Sequence, residues 1–161
     1  MGQARILLVE SESVASLPIR TMLKTMGYLV CGKASSGREA IDKAADMRPN
    51  LVLMDVILQG SMDGITAAEY ISSSYDIPVV FLSSCADSET LDRARGIGHS
   101  AYLTKPCMER ELDSAIKMTL DRHGLEGQRR DQEKAGITQT SLLGVSPDGY
   151  SDATMGNTTE R

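Results

Sequence analysis

Five short runs of consecutive apolar residues, separated by stretches of helical periodicity, constrain this 161-residue chain more than any other feature. The runs are Arg5–Glu10 (RILLVE), Tyr28–Lys33, Asn50–Asp55 (NLVLMD), Pro78–Ser83 (PVVFLS) and Ser100–Leu103. Continuous rather than alternating apolar residues mark strands buried on both faces, as in a parallel sheet with helical crossovers. The intervening spacing predicts helices over Val14–Met26, Gly37–Met47, Asp63–Ser73, Asp87–Ile97 and Glu109–Arg122. In the last of these, Leu112, Ala115, Ile116, Thr119 and Leu120 share one face. Five strands and five helices in strict alternation describe an α/β doubly wound parallel sheet, whose ligands bind beyond the carboxyl ends of the strands.

Local signals refine the boundaries. Asp63 precedes Gly64 as an N-cap, and Asp87 or Ser88 caps the next helix. Pro18 would break a helix that began at Ser13, so a late start with Ser16 as N-cap is expected, placing the proline in the first turn. The 38 residues after His123 hold six of the 14 glycines and only six Val, Ile, Leu, Met or Phe. Such a segment buries too little apolar area to offset its ordering entropy. The expected organisation is therefore a domain over 1–123 and a flexible polar tail over 124–161, with no second domain.

Composition narrows the function classes. The net charge of −5 and pI near 5.0 argue against a nucleic-acid surface, which needs clustered Lys and Arg. No apolar run approaches the ~20 residues of a membrane helix, and the N-terminus has no signal-peptide layout. A cytoplasmic location is expected. Cys31, Cys85 and Cys107 form no C-x-x-C and read as reduced thiols, Cys31 and Cys85 as small buried residues. His99 and His123 lack Cys or carboxylate partners at zinc-like spacing.

Each apolar run ends in a polar residue: Glu10, Asp55 and Ser83, with Lys105-Pro106 soon after the fifth. In a doubly wound sheet these reach one rim. Two acids, a hydroxyl and an amine suit an aspartate that accepts a phosphoryl group beside a divalent cation. Asp55 is the candidate nucleophile, and Mg²⁺ would neutralise charge on the phosphoryl oxygens. Lys105 adds a point positive charge and Ser83 a hydroxyl donor.

On these residues the chain resembles the receiver domain of two-component response regulators over about 4–122. The matching stretches are ILLVES at 6–11, LVLMDVIL at 51–58, MDGITAAEYI at 62–71, IPVVFLSS at 77–84 and AYLTKP at 101–106. The resemblance implies a flavodoxin-like fold with strand order 2-1-3-4-5 and a stand-alone regulator without enzymatic activity. It implies phosphorylation of Asp55 by a sensor histidine kinase or phosphotransfer protein, and a switch carried by Ser83 and Tyr102. It further implies a protein target met through the 88–122 surface, no direct contact with nucleic acid or membrane, and a monomer or weak homodimer.

One departure matters. The family's usual acidic pair reads Glu10-Ser11 here, so the metal set is Glu10, Asp55 and the backbone carbonyl of Ile57, with Ser11 a doubtful fourth. Opposite charges about 4 Å apart attract by roughly 4 kcal/mol at an effective dielectric near 20. After desolvation, the missing acid weakens Mg²⁺ binding by about 1–3 kcal/mol. Glu12 could substitute if its loop bends inward. Ile57 would also place an apolar side chain beside the phosphoryl group, which impedes attack by water.

Three rival readings follow. A phosphatase of the haloacid dehalogenase kind needs an acid two residues after its aspartate, where this chain has Ile57. A flavin or nucleotide binder needs a glycine-rich loop after the first strand, and none is present. A pseudo-receiver, binding partners without phosphorylation because Ser11 breaks the metal site, is the alternative within the family.

Overall fold

The computed structural model describes residues 3–84 and 87–143. In chain order the elements are β1 (Arg5–Val9), α1 (Ser13–Thr25), β2 (Leu29–Ala34), α2 (Gly37–Met47), β3 (Leu51–Asp55), α3 (Gly64–Tyr75), β4 (Val79–Ser83), α4 (Ser88–Arg95), β5 (Ser100–Thr104) and α5 (Glu109–Leu143). The five strands form one parallel sheet in the order β2-β1-β3-β4-β5. This is the flavodoxin-like order that the resemblance implies.

The continuous apolar runs are continuous because both faces of the sheet are covered. Leu7, Val9, Val52, Met54 and Phe81 pack with Ala40, Ile41 and Ala44 of α2, Ile65, Ala68 and Ile71 of α3, and Ala94 of α4. The alternate residues Ile6, Leu8, Leu51, Leu53, Val80 and Leu82 pack with Ile19 and Leu23 of α1 and Leu112, Ala115 and Ile116 of α5. Successive strand side chains point to opposite faces, so one run feeds two cores. The helix caps follow the sequence: Asp63 accepts from the Thr66 amide and Asp87 from the Thr90 amide. β2 lies at the edge of the sheet, where the Lys43 ammonium donates to the Lys33 carbonyl. Its pairing with β1 slips register between Ile6 and Leu7.

Three expectations are corrected. α1 starts at Ser13, not after Ser16, and Glu12 is its N-cap. The Ser16 amide bonds to the Glu12 carbonyl at 3.2 Å, so a full turn closes ahead of Pro18. The cost of an interior proline, about 3 kcal/mol, is offset by packing of Ile19 and Leu23 in the next turns. α5 runs to Leu143 rather than ending at Arg122. A polar segment with little to bury can still be helical when it extends a turn that is already nucleated. Glu126, Gln128, Arg129, Arg130, Gln132, Glu133 and Lys134 are all good helix formers. Compact packing changes over between His123 and Gly124, and residues 144–161 lie outside the described residues. Finally, Cys31 and Cys107 are free and only half-buried, and Cys85 lies outside the described residues.

Candidate functional site

The carboxyl ends of β1, β3 and β4 and the segment after β5 bring the polar strand-end residues to one rim. Val9 pairs with Met54, so Glu10 and Asp55 emerge side by side. Asp55 pairs with Leu82, which sets Ser83 one residue further along β4. The Glu10 amide is held by the Ala34 carbonyl at 2.9 Å, and the Lys105 amide by the Ser83 carbonyl at 2.8 Å. Lys105 thereby enters the site directly after the sheet ends.

Its ammonium lies between the two acids. Lys105 Nζ donates to Glu10 Oε2 at 2.8 Å and Oε1 at 3.1 Å, and to Asp55 Oδ2 at 3.1 Å. Asp55 Oδ1 accepts from the Ile57 amide at 3.3 Å. Glu10 is 3% exposed, Asp55 8% and Ser83 0%, so the charges interact with little screening. Burial, together with the neighbouring Asp55 carboxylate, pushes the Glu10 carboxyl up to about 7 against the opposing pull of Lys105. Burial also disfavours the charge on Lys105, but the two carboxylates outweigh it and hold the amine above its usual range. With both carboxyl groups ionised, the rim carries one more negative charge than its ammonium cancels.

The remaining sequence-derived residues are placed differently. Tyr102 sits on β5 in register with Phe81, its ring 6.1 Å from the Phe81 ring. It lines a groove of about 480 Å³ shared with Leu91, Ile97, His99 and Arg122. Ile57 is 59% exposed beside Asp55. Ser11 is half-buried, and its carbonyl accepts from the Gln59 amide side chain at 3.2 Å. Glu12 is exposed at the start of α1. Among the described residues no group of three or more His, Cys, Asp or Glu side chains is placed to hold a metal. Glu12 therefore does not make up the acid missing at position 11.

The donors that do converge fit Mg²⁺ by their chemistry. They are hard oxygens, and two carboxyl groups converge there beside a single ammonium.

Sequence reasoning missed three features of this rim. The Gln59 side chain spans from the loop after β3 to Ser11, while its backbone N–H donates to the Ser35 carbonyl at 3.4 Å. Gly64 lies so close to β3 that an added Cβ would stand 1.9 Å from the Asp55 carbonyl oxygen. Arg93 of α4 forks onto Asp63. Gln59 and Arg93 show no periodicity or motif that could have flagged them. The glycine was visible only as part of the M-D-G stretch.

A family profile described as a response regulator receiver domain matches residues 6–117. The transcriptional regulatory protein PdtaR of Mycobacterium tuberculosis is 34% identical, covering 91% of this chain and 78% of that protein. The response regulator protein VraR of Staphylococcus saprophyticus is 31% identical, over 71% of this chain and 56% of its own. Among solved structures, the signal receiver domain of a modulated diguanylate cyclase from Desulfovibrio desulfuricans superposes with a TM-score of 0.72 at 33% identity. The match covers 77% of this chain and 98% of that one. A CheY-like receiver domain protein from Methanospirillum hungatei gives 0.68 at 28%, over 78% and 99%.

Proposed function

The chain belongs to the response regulator receiver domain family, and from that premise we propose that it acts in a two-component system as a regulator phosphorylated on Asp55. The observation that carries this reading is the Lys105 ammonium held between two buried carboxylates at the strand ends. In the reaction, an Asp55 carboxylate oxygen attacks the phosphorus of a phosphohistidine on a sensor kinase or phosphotransfer protein. The P–N bond breaks as the O–P bond forms, and the imidazole nitrogen leaving the phosphorus takes up a proton. Lys105 compensates the charge that arrives at Asp55, and Ser83 donates its hydroxyl to a phosphoryl oxygen. Glu10, Asp55 and the Ile57 carbonyl would hold Mg²⁺, with Ser11 contributing at most a hydroxyl or a bridging water. When bound, the ion neutralises charge on the phosphoryl oxygens. Ser83 and Tyr102 then bias the surface of 88–122, including the groove beside Tyr102, toward a protein target.

The test is incubation with beryllofluoride or acetyl phosphate and Mg²⁺, read by mass and backbone NMR shifts. Wild type is expected to gain one phosphoryl group, or the matching shifts with beryllofluoride, and Asp55→Asn to gain neither. Labelling that persists in Asp55→Asn refutes the assignment.

The absent acid at position 11 favours a second reading, a partner-binding pseudo-receiver that works without phosphorylation. Ser11→Asp separates the two. A third carboxylate is expected to tighten Mg²⁺ by about 5- to 150-fold in an NMR titration, the equivalent of roughly 1–3 kcal/mol. If Ser11→Asp takes up phosphoryl and the natural chain does not, the pseudo-receiver reading holds.

Ile57 stands exposed at the acceptor, an apolar screen against water. Ile57→Asn is expected to shorten the phosphorylated half-life by severalfold, followed by release of inorganic phosphate. An unchanged or longer half-life removes this role.

A further inference from the structure

α4 is held to the domain by little apolar contact. Of its eight residues only Ala94 is buried. What joins it to α3 is a fork: Arg93 donates to Asp63 Oδ2 at 2.8 Å and Oδ1 at 3.2 Å, and to Thr66 Oγ at 3.3 Å. A bidentate guanidinium–carboxylate pair fixes orientation as well as distance. Asp63 already has a second task, because its side chain caps α3 through the Thr66 amide at 2.8 Å. Burial works against the Asp63 charge, but Arg93 and Thr66 prevail and keep its carboxyl below the usual range.

The next residue carries this anchoring to the acceptor. The Gly64 amide donates to the Val56 carbonyl at 2.7 Å, closing the loop that follows Asp55. The Gly64 Cα lies against the Asp55 carbonyl with no room for a side chain. Asp55, Val56, Gly64, Asp63 and Arg93 therefore form one unbroken line of contacts from the acceptor backbone to α4.

We infer that Arg93 is a positioning residue for Asp55: by clamping Asp63 it holds Gly64 against the acceptor strand and fixes the loop that presents the carboxylate. It touches no reacting atom and acts through the cap of α3. Because contact free energies are reciprocal, a ligand that reshapes the Asp55 loop changes the hold on α4 by the same route.

Two substitutions break the fork in different ways. Arg93→Gln removes the guanidinium. Asp63→Asn removes the charge but keeps a good N-cap, so α3 remains capped. The first readout needs no ligand and does not depend on the phospho-acceptor reading: hydrogen exchange of the Gly64 amide. Both variants are expected to lose about tenfold protection there, the double variant no more than either single one, with amides of β1 and β3 unchanged. Unchanged protection at Gly64, or an equal loss across all amides, overturns the inference. The second readout rests on that reading and uses beryllofluoride with Mg²⁺. Each variant is expected to bind about three- to fivefold more weakly, again without additivity, and equal or tighter binding overturns the positioning role. If wild type itself binds no beryllofluoride, the phospho-acceptor reading fails while the exchange experiment still decides on the clamp.

Discussion

Gly64→Ala is expected to destabilise the domain by about 2–4 kcal/mol, at the upper end of overpacking effects, and to disable Asp55 at the same time. The added Cβ would lie 1.9 Å from the Asp55 carbonyl oxygen, 2.9 Å from its carbon and 3.0 Å from Val56 Cα. All three are backbone atoms of β3 and its exit, so no side chain can swing aside to relieve the clash. Either β3 moves or α3 does, and both shift the Asp55 carboxylate relative to Lys105. Gly98 is the control, since nothing lies within 4 Å of a Cβ there. Urea unfolding of the two alanine variants should differ by at least ~2 kcal/mol, with Gly98→Ala within about 0.5 kcal/mol of wild type. Equal stability of the two would mean that the close approach at Gly64 is relieved at little cost.

Removing the amine at position 105 is expected to have an effect of similar size that depends on pH. Lys105→Ala leaves two buried carboxylates without their shared cation, and breaking such a set by deleting one partner costs on the order of 2–4 kcal/mol. The sign follows from Glu10, whose carboxyl moves from 4.5 to about 7 on folding. A carboxyl raised by folding favours the native state while it is protonated. Its contribution is complete below 4.5 and is lost as pH rises through about 7. Metal-free wild type should therefore be less stable at pH 8 than at pH 5, as far as this group governs. Lys105→Ala should widen that gap, because the amine opposes the upward shift. Urea titrations of both proteins in EDTA at pH 5 and pH 8 measure it. A mutational effect equal at the two pH values would show that Glu10 does not feel the amine.

The fold was legible because its strands are buried on both faces. Residues 51–54 and 79–82 read as uninterrupted apolar runs, and nothing but a covered parallel sheet accommodates several of these in alternation with helices. The rim was legible because topology brings every strand end to the same side, so Glu10, Asp55 and Ser83 did not have to be neighbours in sequence. What escaped was of two kinds. Contacts between surface loops, such as Gln59 to Ser11 or Arg93 to Asp63, depend on distances in space that leave no trace in periodicity. The same holds for His123, whose Nε2–H donates to the Asp76 carbonyl at 2.8 Å. Helix ends escaped because cooperativity overrides local preference. α1 tolerates Pro18 once its first turn has closed, and α5 continues through Gly124 and Gly127 once its apolar face has docked. Local rules describe where a helix would prefer to stop, and neighbours that are already ordered move that point.

The outer border of β2 bears on whether a further strand can add to that side of the sheet. An open strand border invites other copies to zip on and build fibres. Here the ammonium of Lys43 occupies a carbonyl on that strand, and the register slip opposite Ile6 and Leu7 spoils the even spacing an incoming strand would need. A positive charge stationed at the border also repels its own copy. The Lys43 ammonium and the slipped register thus make this one border a poor template for a further strand.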